Sequence, residues 1–161
     1  MWNSTGWWLH WDIGCWRHDI FSEEDEDCTW YEGWAEFLPL RVNGDQCYDW
    51  GLGPCNGSYE DIETHNLYDA PNIDNFGEAV EGRVAGALYD LVDYNNEIYD
   101  KTSFDFSLIA YLLVSSPLEE SFSDFWESWL NNGFDHFEEL VSSFYLNTIG
   151  GGFIFIPMVV K

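Results

Sequence analysis

Basic residues are scarce in this sequence. Five Lys and Arg stand against 30 Asp and Glu, so the 161-residue chain carries a formal net charge of −25 at pH 7. Phosphate backbones and anionic membrane surfaces would repel this charge, which excludes nucleic acid as a partner. The excess of carboxylates would suit solubility in high salt or the binding of cations such as Ca²⁺, and composition alone favours neither.

Long hydrophobic runs are missing as well. The C-terminal run FIFIPMVV (153–160) is far shorter than the roughly 20 residues of a membrane-spanning helix, so we expect no membrane insertion. The N-terminus, MWNSTGWWLHW, lacks both a basic start and an apolar run that ends in a small-residue cleavage site. Nothing in the sequence therefore resembles an export signal.

The four cysteines lack the short paired spacing that is typical of a zinc site. Disulfide bonds are the better interpretation of such a set. We predict the pairs Cys15–Cys28 and Cys47–Cys55, because each pair closes a short loop within one region of the chain.

Two glycosylation-type triplets begin at Asn3 and Asn56. Together with the predicted disulfides, they favour an extracellular or cell-surface protein. Because such a protein must be exported, the lack of a signal indicates a mature or truncated chain.

Apolar residues recur at helical spacing, so we predict a mainly α fold in a single domain over residues 1–149. Helices are expected within 29–41, 76–94, 104–116, 121–133 and 137–145, with a short one near 59–66. Ser103 is the expected N-cap of the third of these, and Ser121 or Ser123 that of the fourth. The Trp-rich N-terminus is expected to be irregular, and 150–161 to be a Gly-rich linker followed by a short strand or the start of another segment.

Two carboxylates, Glu32 and Glu36, lie one helical turn apart in the aromatic stretch CTWYEGWAEF (28–37). Apolar side chains surround this helix almost completely, which indicates burial. A buried carboxylate is unfavourable unless it is paired, protonated or bound to a cation, so Glu32 is expected to need a partner. Because the chain has only five basic residues, a metal ion is one possible partner of Glu32. The alternatives are a structural ion pair and an exposed Glu32 that needs no partner.

Several motifs of enzyme sites are absent. The sequence has no HExxH, no Gly-rich phosphate loop and no Ser in a nucleophile-elbow context. No two histidines are four residues apart, as a helical zinc pair requires. The four are His10, His18, His65 and His136. We therefore assign no catalytic residue within the chain.

The stretch DLVDYNNEIYD (90–100) places several oxygen ligands close together, as a calcium loop does. The candidate ligands are Asp93, Asn95, Glu97 and Asp100. Because the stretch lacks the glycine that an EF-hand loop requires, a solvated acidic turn is the alternative to a calcium site.

Three long stretches together resemble a known family. They are CWRHDIFSEEDEDCTWYEGWAEFLPLRVNGD (15–45), EAVEGRVAGALYDLVDYNNEIYDKTSFDFSLI (78–109) and SFSDFWESWLNNGFDHFEELVSSFYLNTI (121–149). They look like the C-terminal part of the gluzincin-like zinc metallopeptidase domain of prokaryotic cell-surface proteins. In that family an HExxH helix precedes a W-x-E-G-W-A helix, an E-G-x-V-A-x-A-L-W-D helix and an F-W-x-x-W helix. The resemblance implies a helical C-terminal subdomain without its HExxH segment.

The resemblance also implies roles for individual residues. In gluzincins zinc is bound by the two His of HExxH and by a Glu on a later helix, and the Glu of HExxH is the general base. Matched by motif, Glu32 is the third zinc ligand. Glu36, Glu81 and Asp90 become candidates for orienting a ligand, with a surface role as the alternative for Glu36. Zinc is expected only where an HExxH segment completes the site.

The function we expect is the C-terminal, cleft-forming part of an extracellular zinc metallopeptidase. It would be inactive alone and would act on a peptide or protein substrate once an HExxH segment completes it. The alternative is a non-catalytic cell-surface or assembly module, calcium-stabilised if 90–100 binds the ion, whose aromatic side chains contact partners. The sequence makes no prediction of the oligomeric state.

Overall fold

The computed structural model describes residues 15, 20–48, 60–63, 77–94, 101–115, 119–134 and 136–150. Within these ranges the fold is mainly helical, as predicted. The helices are α1 (Glu26–Asn43), α2 (Glu81–Asp90), α3 (Phe106–Ser115), α4 (Phe122–Asn131) and α5 (Phe137–Leu146). Two short strands, β1 (Cys47–Tyr48) and β2 (Glu60–Asp61), pair antiparallel.

All ten residues of α2 are buried. Glycines explain how several segments cover one short helix. An added Cβ at Gly33 of α1 would lie 2.7 Å from Val84 Cγ1. An added Cβ at Gly82 would likewise contact the chain that precedes α1, and one at Gly86 would contact Asn147 after α5. The glycines of EGW and EGRVAG therefore allow three close approaches to α2.

Aromatic rings connect α1 with the last two helices. The ring centroids of Trp30 on α1 and Phe125 on α4 are 5.6 Å apart. Two further rings of α4, those of Phe122 and Trp126, lie 4.8 Å and 5.3 Å from Phe144 of α5. Such ring pairs add about 0.5–1.5 kcal/mol each beyond the burial of their area. The aromatic content thus forms the core that holds short helices together.

Side chains near the helix starts test the predicted caps. Ser121 caps α4 as expected, and its Oγ accepts the Asp124 amide at 3.1 Å. The prediction of Ser103 for α3 is wrong. That helix begins at Phe106, and the Asp105 carboxylate accepts the Ser107 amide at 2.8 Å. A carboxylate next to the helix supplies the acceptor that a more distant hydroxyl was expected to give.

The helix predicted near 59–66 is wrong where the chain is described, because residues 60–61 form β2. The Asp61 carboxylate accepts the Gln46 side-chain amide at 3.2 Å. The Ile62 backbone N–H donates to the Gln46 carbonyl, also at 3.2 Å. Contacts with the chain after α1 therefore outweigh any local helical preference.

The Cys15–Cys28 disulfide confirms one predicted pair and attaches Cys15 to the first turns of α1. Cys47 is also disulfide-bonded, and its predicted partner Cys55 lies outside the described residues. The triplets at Asn3 and Asn56, most of the Trp-rich N-terminus and the predicted C-terminal strand lie outside them too. No helix in the described ranges is long and apolar enough to cross a membrane.

Candidate functional site

Three carboxylates from two helices come together where α1 meets α2. Glu32 and Glu36 lie one turn apart on α1, and Glu81 is the first residue of α2. Glu36 is 7% exposed and Glu81 4% exposed, whereas Glu32 is half-buried. We call these three residues the carboxylate cluster.

The close approach at Gly33 determines where the cluster forms. An added Cβ at Gly33 would lie 3.0 Å from the carbonyl oxygen of Glu81. Because no side chain separates the two helices there, the first residue of α2 lies against the turn of α1 that carries Glu32 and Glu36. The motif EGW therefore supplies both a carboxylate and the contact that brings a second helix to it.

Glu36 is held in its neutral form. Burial, followed by the charges of Glu81 and Glu32, raises the pKa of Glu36 from 4.5 to about 9. Its carboxyl group also shares a hydrogen bond with that of Glu81, and this bond requires a proton because two ionised carboxylates have only acceptors. Burial and then the charges of Glu36, Glu81 and Glu32 raise the pKa of Tyr48, which places its phenol close to the cluster.

One acceptor in the cluster is left without a donor. Glu36 Oε2 is buried and has no hydrogen-bond partner among the described residues. A buried acceptor of this kind costs about 1–3 kcal/mol. A hydrogen-bond donor from another segment of the protein would therefore be stabilised next to Glu36 Oε2.

Burial of Glu32 was one expectation for this helix, with an exposed Glu32 as the alternative, and the structure lies between the two. The α1–α2 contact encloses Glu36 instead, and Glu32 remains half-buried. Apolar residues also do not surround α1 completely in space, because Leu38 is 42% exposed and Val42 75% exposed. The helix thus has a buried side and an open side.

The family of the chain follows from a match to a known family model. Residues 1–140 match the family model of the mycolysin C-terminal domain. The chain belongs to this family. The mycolysin C-terminal domain is the C-terminal region of a zinc metallopeptidase of the gluzincin type, so the resemblance seen in the sequence is confirmed at that level. No curated protein and no solved structure matches the chain.

In this mycolysin C-terminal domain the cluster fits only part of a zinc site. Carboxylate oxygens are suitable zinc ligands. In the part of the chain that the structure describes, however, no three His, Cys, Asp or Glu side chains are grouped so as to hold a metal ion. His136, the one histidine in those ranges, lies 3.9 Å from Glu139 and contacts the Phe104 ring. Imidazole ligands would therefore have to come from another segment.

Asp90 lies away from the cluster, since the helical rise over nine residues from Glu81 is about 13 Å. Its carboxylate accepts the Asn147 amide at 2.6 Å, and its carbonyl accepts the Thr102 hydroxyl at 2.9 Å. These bonds connect the end of α2 with the chain after α5 and the chain before α3. In the mycolysin-type domain Asp90 therefore has a clear structural role.

Among the predicted calcium ligands, Asp93 lies in the described residues, whereas Asn95, Glu97 and Asp100 lie outside them. Asp93 is 7% exposed, and its backbone N–H donates to the Tyr89 carbonyl at 3.0 Å. Burial, then the charges of nearby carboxylates that include Asp93, raise the pKa of Tyr89 to about 12. Asp93 is thus enclosed at the end of α2, and calcium binding stays a prediction.

The predicted site residues do not include Arg83, Glu78 or Glu119. Arg83 is 1% exposed, its Nε and Nη1 have no hydrogen-bond partner among the described residues, and burial lowers its pKa to about 10. The EGRVAG motif, with glycines on both sides of Arg83, could have indicated an enclosed position. No local signal separates Glu119 from its neighbour Glu120, yet Glu119 is 8% exposed.

Proposed function

We propose that this domain forms the C-terminal wall of a zinc metallopeptidase active site and serves a peptide or protein substrate outside the cell or at its surface. The carboxylate cluster carries the proposal, because α1 and α2 of a mycolysin-type domain bring Glu32, Glu36 and Glu81 to one place. Zinc, when bound, polarises the scissile carbonyl and lowers the pKa of its bound water.

Glu32 supplies the anionic oxygen ligand in this proposal. It is the half-buried member of the cluster, which leaves its carboxylate accessible to an ion shared with another segment. Two His of an HExxH segment would complete the ligand set, and the Glu of that segment would be the general base. The described residues thus contribute one ligand where hydrolysis requires three.

Glu36 positions a histidine ligand. A metal-bound imidazole usually donates its second N–H to a carboxylate or carbonyl. Glu36 Oε2 is buried and has no donor among the described residues, and the hydrogen bond with Glu81 holds the carboxyl group. An N–H donated to Glu36 would favour its ionised form and lower its pKa from about 9.

Zinc analysis tests the role of Glu32. The chain is joined to an HExxH helix from a peptidase of the same family, and zinc content and peptide hydrolysis are measured. Glu32→Gln should lose both while the far-UV circular dichroism spectrum stays unchanged, because the amide keeps the volume but not the anionic ligand. Glu120→Gln removes an exposed carboxylate and should lose neither.

The chain without the added helix provides the second arm of the experiment. We expect no stoichiometric zinc on it after dialysis, since a single carboxylate does not hold the ion tightly. Stoichiometric zinc on this chain would contradict the proposal, as would zinc retained by Glu32→Gln in the joined chain. The first result would point to a zinc site built from His10, His18, His65 or the cysteines.

A further inference from the structure

The start of α4 gathers acidic side chains from three segments. Glu120 and Asp124 lie on either side of the N-cap Ser121, and Glu78 reaches the helix from the chain before α2. The charge of Glu78, then burial and the charge of Asp124, raise the pKa of Glu26 on α1. Within the described residues, no cation acts on Glu26 in this group.

Two of these carboxylates receive hydrogen bonds at the helix start. Glu78 accepts the backbone N–H and the hydroxyl of Ser123, both at 2.7 Å. Asp124 accepts the Glu120 amide at 3.0 Å. The first N–H groups of a helix have no partner within the helix, and they stabilise carboxylates placed there together with the positive end of the macrodipole.

Glu119 lies beside this group without such bonds. It is 8% exposed, and neither of its carboxyl oxygens has a hydrogen-bond partner among the described residues. Burial raises the pKa of Glu119 to about 7, while the nearby Ser128 hydroxyl lowers it and the charge of Asp124 raises it. An ionised Glu119 in this position would have the nearby Ser128 hydroxyl as its donor and no counter-charge among the described residues.

We propose that Glu119 is a pH-sensitive latch, which stays buried against the helical core when protonated and leaves the core when ionised. Asp124, the charged group of the described residues that acts on Glu119, promotes departure because it repels the ionised carboxylate. The bonds between Glu78 and Ser123 do not involve Glu119, so they can persist when Glu119 leaves the core.

Stability should fall as the pH rises. The folded-state pKa of Glu119, about 7, lies above its ordinary value of 4.5. Protonated Glu119 therefore contributes stability that is fully present below pH 4.5 and is lost as the pH rises through about 7.

Carbon-13 NMR of the Glu119 carboxyl in the unaltered chain tests the latch directly. We expect the resonance to titrate near pH 7. Exchange of the Glu120 amide should accelerate about tenfold or more between low and high pH, after correction for its intrinsic pH dependence. A carboxyl that titrates at the ordinary pKa of a glutamate would overturn the proposal.

Two variants separate the latch from a general charge effect. Glu119→Gln removes the charge at nearly constant volume, so the Glu120 amide should stay protected at high pH. The matched control Glu120→Gln removes the neighbouring exposed charge and should retain the pH-dependent exchange. The same pH dependence in the unaltered chain and both variants would refute the latch, and the carboxyl titration decides the question if Glu119→Gln does not fold.

Discussion

The α1–α2 contact and the start of α4 both bring carboxylates together, but they satisfy them differently. Glu36 and Glu81 meet where α1 packs on the first turn of α2. The Gly82 N–H there donates to the Ile20 carbonyl at 2.8 Å, and the two carboxyl groups share a hydrogen bond with each other. Glu78 and Asp124 meet a helix start, where amides are free to donate, and both accept backbone N–H groups.

The difference shows that the supply of donors, as well as burial, decides how an enclosed carboxylate behaves. Glu119 illustrates this, because it lies two residues before the N-cap Ser121 and receives none of the N–H groups that serve its neighbours. Its raised pKa makes it more like Glu36 than like the acidic residues beside it. A short distance along the chain thus separates two kinds of acidic site.

Gly33→Ala should have the largest effect, because it breaks the contact that forms the first site. The new Cβ would lie 2.7 Å from Val84 Cγ1 and 3.0 Å from the Glu81 carbonyl oxygen, so a helix must shift. We expect the free energy of unfolding, measured by urea denaturation, to fall by about 3 kcal/mol. The pKa of Glu36, followed by NMR, should move down from about 9 as the carboxylates separate.

Gly44→Ala is the matched control for this change. Gly44 has a φ of 65° and nothing within 4 Å of an added Cβ, so the substitution introduces backbone strain without a clash. Its effect should be about 1–2 kcal/mol, with the pKa of Glu36 unchanged. Equal losses for the two glycine variants would contradict the close-contact account.

Glu78→Gln should have an intermediate effect, because it weakens the donor-rich site. The amide retains one acceptor oxygen where the carboxylate accepts two bonds from Ser123. We expect a loss of about 1.5 kcal/mol in the free energy of unfolding, measured thermally and in urea. Glu127→Gln on the exposed side of α4 should change it by less than about 0.5 kcal/mol, and a similar loss there would mean that total charge is responsible.

Glu36→Gln should have an effect of the opposite sign, and its size should depend on pH. The folded-state pKa of Glu36, about 9, lies above its ordinary value of 4.5, so its protonated form contributes stability that is lost as the pH rises towards 9. Gln does not titrate, so the variant should become progressively more stable than the unaltered chain as the pH rises from 4.5 to 8. The two should be equal at pH 4, and a variant that is less stable at both pH values would disprove the shared-proton account.

Much of the helical structure could be predicted from local patterns. The aromatic stretch around Trp30 and Trp34, the EGRVAG stretch and the spacing of Leu140 and Phe144 each gave a helix that the structure contains. Ser121 was identifiable as a cap because a hydroxyl directly before an apolar helix has a defined partner in the next turn. The Cys15–Cys28 bond followed from the short loop that it closes.

The candidate site was predictable only in part. The EGW motif pointed to Glu32, but nothing local showed that Glu36 would be the enclosed member and Glu32 the accessible one. That outcome depends on which side of α1 meets α2. Asp90 shows the same limit, because its bond to Asn147 joins residues 57 positions apart in the chain.

The sequence by itself determined the acidic charge, the mainly helical class, one disulfide and the motifs that relate the chain to mycolysin C-terminal domains. These properties depend on composition or on residues within a few turns of one another. Tertiary structure alone decided which carboxylates share a proton, which accept N–H groups and which lie buried without a donor. The energy of a carboxylate depends on the donors and charges within a few ångströms, and the folded chain brings these from distant positions.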